Sequence, residues 1–103
     1  MITYSVFYPY KDNSYFNMDY YCNNHLGIIK RYFGEKCKGI IVVKGEENDN
    51  KEPNYTCICH IFFNNKKEFT EIMEKAKPEL LADVKNYTNI TPTSKIFKVS
   101  MKE

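Results

Sequence analysis

Ile2, Tyr4, Val6 and Tyr8 alternate with Thr3, Ser5 and Phe7, the period of two that marks a strand. Pro9 ends that run, and Lys11-Asp12-Asn13-Ser14 is a polar turn. The period then changes. Cys22, Leu26, Ile29 and Phe33 recur at i, i+4, i+7 and i+11, which places them along one face of an α-helix. Tyr21, His25 and Ile28 form a second row beside that stripe. Asn17 has the side-chain oxygen to cap the helix start, and Asp19 suits the positive end of its dipole. Phe16 and Tyr21 have the spacing of a hydrophobic staple, and Gly34 suits the position just past the helix end.

Gly39-Ile40-Ile41-Val42-Val43-Lys44 is a β-branched run that predicts a second strand. The charged, aperiodic stretch from Gly45 to Asn54 reads as a solvated loop. Tyr55 to Phe63 predicts a third strand, with Tyr55, Cys57, Cys59, Ile61 and Phe63 on one face and Thr56, Ile58, His60 and Phe62 on the other. Both faces are largely apolar, so each side of the sheet should meet another layer. Asn65 and Glu68 have capping-box spacing, and Phe69, Ile72, Met73, Ala76 and Leu80 continue a helix. Pro78 predicts a kink or a fresh short helix. After the loop Asn86-Tyr87-Thr88-Asn89, Lys95 to Met101 predicts a fourth strand. The order βαββαβ over residues 1–103 predicts one α+β domain, with two helices crossing one face of a four-stranded antiparallel sheet in the ferredoxin-like manner. The bare face of such a sheet is the natural seat for a second copy of the chain.

Composition narrows the field of functions. The net charge is +2, and one arginine, Arg31, stands among 15 basic residues, which argues against a nucleic-acid reader. No stretch approaches the ~20 apolar residues of a membrane span. Met1-Ile2-Thr3-Tyr4 has neither the basic nor the apolar segment of a secretory leader. A cytoplasmic chain is expected, with Cys22, Cys37, Cys57 and Cys59 as free thiols.

His25 is the first candidate for chemistry, since an imidazole can give or take a proton near neutrality and Tyr21 lies one turn away. A histidine at such a position more often completes a core than it catalyses. His60 is the second candidate, and its blander reading is a buried neutral ring or an interface residue. Tyr20 could line a pocket mouth or simply pack. Cys57-Ile58-Cys59-His60 holds ligand types for a metal, but alternation sends the thiols and the imidazole to opposite faces, and no paired Cys-x-x-Cys completes a set. Neither a metal nor a cofactor is expected, because the chain has no phosphate-cradling glycine loop and no dinucleotide fingerprint.

Tyr8-Pro9, Met18-Asp19-Tyr20-Tyr21 with His25 four residues on, Cys59-His60-Ile61-Phe62-Phe63 and Asp83-Val84-Lys85-Asn86-Tyr87-Thr88-Asn89-Ile90 with Pro92 resemble the EthD family. That family is named for a protein required in ethyl tert-butyl ether degradation. The resemblance runs from the first strand to the last and implies the dimeric α+β barrel superfamily, in which two ferredoxin-like sheets pair face to face and each subunit can hold a small-molecule cavity. It implies His25, Tyr20 and His60 as catalytic residues and Tyr8, Tyr21, Asn86 and Tyr87 as ligand-binding residues. The chain departs from the family pattern at Gly27, where members often carry proline. Proton-transfer, cyclisation, isomerisation or oxidative chemistry on a small aromatic or polyketide-like compound would suit the resemblance, carried out by a cofactor-independent oxidoreductase, isomerase or cyclase. The alternative is a non-catalytic ligand-binding or accessory protein in a degradation pathway. The sequence leaves open which applies.

Overall fold

The computed structural model describes every residue from Met1 to Glu103. Strand β1 (Ile2–Pro9) is followed by a helical segment α1 over residues 18–33, strands β2 (Gly39–Lys44) and β3 (Tyr55–Phe63), helix α2 (Lys66–Asp83) and strand β4 (Thr93–Lys98). The sheet order is β2-β3-β1-β4, with every neighbouring pair antiparallel. This is a ferredoxin-like α+β fold.

Register decides what each face holds. Tyr4 pairs with Ile61, Val6 with Cys59 and Tyr8 with Cys57, and these side chains face the helices. Thr3 pairs with Phe62, Ser5 with His60 and Phe7 with Ile58 on the opposite face. Both helices cover the first face. Phe33 of α1 and Phe69 of α2 each pack on Phe63, with ring centroids 4.8 Å and 4.6 Å away. At the other end of the core, Tyr8, Phe16, Tyr21 and Tyr87 form a second aromatic cluster, with centroids 5.0–6.0 Å apart.

Both expected caps form. Asn17 Oδ1 accepts from the Tyr20 N–H at 3.0 Å, and Asn65 Oδ1 accepts from the Glu68 N–H at 2.9 Å. Phe16 and Tyr21 close the staple, and Gly34 takes φ +50° at the end of α1.

Three local expectations need correction. Helix α1 is not regular. Tyr21–His25 is a π-turn, in which the Leu26 N–H reaches back five residues to the Tyr21 carbonyl. The wider turn carries Tyr21 and His25 inward together with Leu26, and leaves Cys22 only half-buried instead of in the core stripe. Helix α2 runs unbroken through Pro78. Proline costs one backbone bond there, while Ala76 and Leu80 on either side hold both halves against the core. Strand β4 starts and ends earlier than expected, because its ladder with β1 spans only Thr93 to Lys98.

Candidate functional site

The π-turn, the end of β1 and the chain leaving α2 converge on one place. Tyr8, Tyr21 and Tyr87 are each 2% exposed or less, and His25 is 6% exposed. The His25 ring stacks on Tyr21 at 5.4 Å with planes 17° apart, and lies 4.6 Å from Tyr87.

A continuous hydrogen-bonded chain runs through these groups. Asp83 Oδ2 lies 2.9 Å from His25 Nδ1, and His25 Nε2 lies 3.3 Å from the Tyr87 hydroxyl. That hydroxyl is 2.7 Å from the hydroxyl of Tyr8. Asp83 closes α2, where the helix dipole opposes a carboxylate. Local donors offset this. The Tyr20 hydroxyl donates to Asp83 Oδ1 at 2.6 Å, and Asn86 Nδ2 donates to the same oxygen at 2.9 Å. Burial works against the Asp83 anion, yet the bonds from Tyr20, Asn86 and His25 together hold its pKa below the ordinary carboxylate value.

Burial pushes the His25 pKa down and outweighs the upward pull of Asp83. The ring is therefore neutral at pH 7, with Nδ1–H donating to the carboxylate and Nε2 left as acceptor. Tyr87 then donates to Nε2, and Tyr8 donates to Tyr87. Burial raises the Tyr8 pKa to about 12 and drives Tyr21 and Tyr87 up as well. These phenols stay protonated and act as donors, and the one basic nitrogen of the group is Nε2.

The chain ends in a cavity of about 80 Å³, walled largely by apolar side chains that include Val6, Leu26, Ile29 and Ile61. Leu81, Val84 and Pro92 also border it, and Leu81 is 60% exposed. An apolar cavity of about 150 Å³ accepts benzene. This one seats a smaller group, or the end of a longer molecule.

Tyr8, Tyr21, Tyr87 and His25 all line the cavity. Tyr20 and Asn86 do not; both hold Asp83 from outside. His60 lies on the other face of the sheet, where its Nδ1 is 2.7 Å from the Ser5 hydroxyl, so the two histidines share no cavity. Sequence reasoning gave Asp83 no role. A carboxylate at a helix C-terminus, against the dipole and three residues before an asparagine, was the signal available. Cys57 and Cys59 are fully buried, with thiol pKa values raised to about 12 and about 11 by burial, which makes them packing groups rather than nucleophiles.

No family sequence model matches the chain, and no curated protein sequence does. Solved structures do match. An EthD-like protein of Ralstonia eutropha JMP134 superposes with a TM-score of 0.92 at 29% identity, over 99% of this chain and 94% of that one. A protein of Arabidopsis thaliana gives 0.66 at 14% identity over 100% and 99% of the two chains. An ethyl tert-butyl ether degradation family protein of Bacillus halodurans C-125 gives 0.60 at 9% identity over 92% and 98%. The last two show the fold alone. Fold and cavity thus define a small ferredoxin-like α+β protein with a histidine and tyrosines at the helix–sheet interface. Over nearly its whole length the chain is similar to an EthD-like protein in fold, as the resemblance read from its motifs implies.

Proposed function

We propose that the chain is a small-molecule-acting enzyme of the EthD type, with His25 as general acid and base. The observation that carries this reading is the line Asp83–His25–Tyr87–Tyr8, which delivers an oriented, neutral imidazole and two phenolic donors to an apolar cavity. A proton given up by the ligand to the Tyr87 oxygen would reach Nε2 as Tyr87 passes on its own hydroxyl proton, and Tyr8 can turn its single O–H from Tyr87 to a ligand oxygen to polarise it. One placed base of this kind contributes about 10²–10⁴-fold to a proton-transfer rate. Tyr20 and Asn86 then act as positioning residues, through Asp83. Cyclisation, isomerisation and cofactor-independent oxidation of a small aromatic or polyketide-like compound all need such a proton transfer.

A second reading, a carrier that binds without reaction, is favoured by one detail: Nε2 already faces a donor of its own chain, Tyr87. Native mass spectrometry of the purified protein, looking for a co-purified organic ligand, separates the two. Enzyme activity predicts that the released ligand changes in mass or spectrum on incubation with the protein and not with folded His25→Ala. A ligand recovered unaltered from both proteins supports the carrier and overturns catalysis.

The open sheet face belongs to the same proposal. Ile41, Val43 and Phe97 are 44–48% exposed there, beside half-buried Phe7, Ile58 and Phe62. An antiparallel sheet facing water would carry polar residues at these positions, and a second copy packed face to face would cover them. His60 would then lie within a homodimer interface. The compartment is read as cytoplasmic, supported by four free cysteines. No helix is long and apolar enough to cross a membrane.

A further inference from the structure

The cavity does not stop at its mouth. Leu81, Val84 and Pro92 border both the cavity and a larger, shallower groove of about 400 Å³. They form a threshold common to the two. The two sides differ in chemistry. The cavity is walled mostly by apolar side chains, whereas half of the residues lining the groove, Lys85, Thr88, Asn89 and Thr91, are polar. Lys85 is the one charged residue lining that groove, and it makes no ion pair.

The groove is also held in shape. The Thr88 hydroxyl donates to the Tyr15 carbonyl at 2.7 Å and accepts from the Ile90 N–H at 3.1 Å. Asn89 Oδ1 accepts from the Tyr15 N–H at 3.0 Å. Those side chains are committed to the loop, so the Lys85 ammonium is left free to meet a ligand.

We infer that the ligand is an amphiphilic carboxylic acid, with its apolar end in the cavity beside His25 and Tyr87 and its carboxylate at Lys85 in the groove. This rests on the cavity being a ligand site, as proposed above. The cavity is too small for a whole drug-sized molecule, so a ligand that reaches it by one end must lie across the Leu81–Val84–Pro92 threshold. At that point the one available fixed charge is positive. An exposed pairing of this kind is a modest contribution, about fivefold in affinity.

The test compares hexanoate with hexanamide, which match in length and differ in charge, by titration followed in amide N–H spectra of the full chain. The expected result is that both probes shift amides at the cavity (Leu26 and Tyr87). Hexanoate alone also shifts Lys85 and Thr91, and it binds about fivefold more tightly. Lys85→Gln, at an exposed position, should bring hexanoate down to the affinity of hexanamide and leave hexanamide unchanged. Equal affinity of the two probes with shifts at the cavity would overturn the carboxylate assignment while leaving the cavity as a ligand site. Hexanoate shifts confined to the groove would also overturn it. If neither probe shifts the cavity amides, the cavity reading fails, and this inference with it.

Discussion

Asp83 is the residue on which the site turns, because it sets which nitrogen of His25 is free. Its carboxylate pulls the imidazole pKa up while burial pulls it down further. Removing the charge with Asp83→Asn should therefore lower the His25 titration midpoint beyond its already depressed value, read from the imidazole C–H resonances against pH. A midpoint that stays put or rises would show that the carboxylate does not govern the ring. The same shift has a consequence for stability. A folded-state pKa below the ordinary 6.5 means that the unfolded chain takes up this proton first as pH falls. Stability is complete above pH 6.5 and declines below it, until the folded ring is itself protonated. Asp83, also depressed, adds a further loss below its ordinary 3.8. Urea midpoints at pH 7.5 and 5.5 should fall between the two for the native chain, and change less for His25→Phe. Little of this was legible beforehand. His25 stood out by its place beside the helical stripe, but its partner is 58 residues away, and no local period reports a contact of that span.

The π-turn is the corresponding feature at the scale of an element. One extra residue per turn re-aims Tyr21 and His25 without ending the helix, and Asn23 and Asn24 take the outer, exposed side of that turn. Deleting Asn23 should close the turn to α geometry, keep the helical signal in circular dichroism, and detach His25 from Asp83. The His25 midpoint would then move back up toward 6.5 as burial is relieved; a midpoint that remains depressed would show that the site tolerates a regular helix. Asn65→Ala should cost about 1 kcal/mol in urea unfolding by removing the cap of α2. The elements themselves were readable where one face is buried. β1 and β3 follow their alternation, β2 its β-branched run, and the two caps their spacing. A single wide turn was not readable, since four apolar residues at i, i+4, i+7 and i+11 fit a regular helix equally well. The limits of β4 were not readable either, because all six of its residues are exposed and no face is selected by burial.

For the whole molecule the open sheet face is decisive. A 103-residue chain buries only about 60–70% of its unfolded surface, so an uncovered apolar sheet is a substantial stability still to be gained. Across that face runs the row Ile41, His60, Ser5 and Lys95, in which Ser5 is fully buried and bonded to His60. Ser5 thus satisfies His60 Nδ1 within one chain, and a second copy packed over the pair would have to meet only Nε2, which has no partner in this chain. The row ends in Lys95 on the exposed edge strand, where an ammonium can keep its water. Light scattering at micromolar concentration should accordingly give twice the chain mass of 12.2 kDa. Ile41→Glu with Phe97→Glu places carboxylates on either side of the face without touching the cavity, and should yield a monomer with native circular dichroism. If the dimer also stabilises the cavity, that monomer should melt lower yet keep the depressed His25 midpoint, because Asp83 and the burying tyrosines all come from one chain. A native chain that scatters as a monomer would remove the dimer and leave the cavity reading intact, since nothing in the line from Asp83 to Tyr8 is borrowed from a partner.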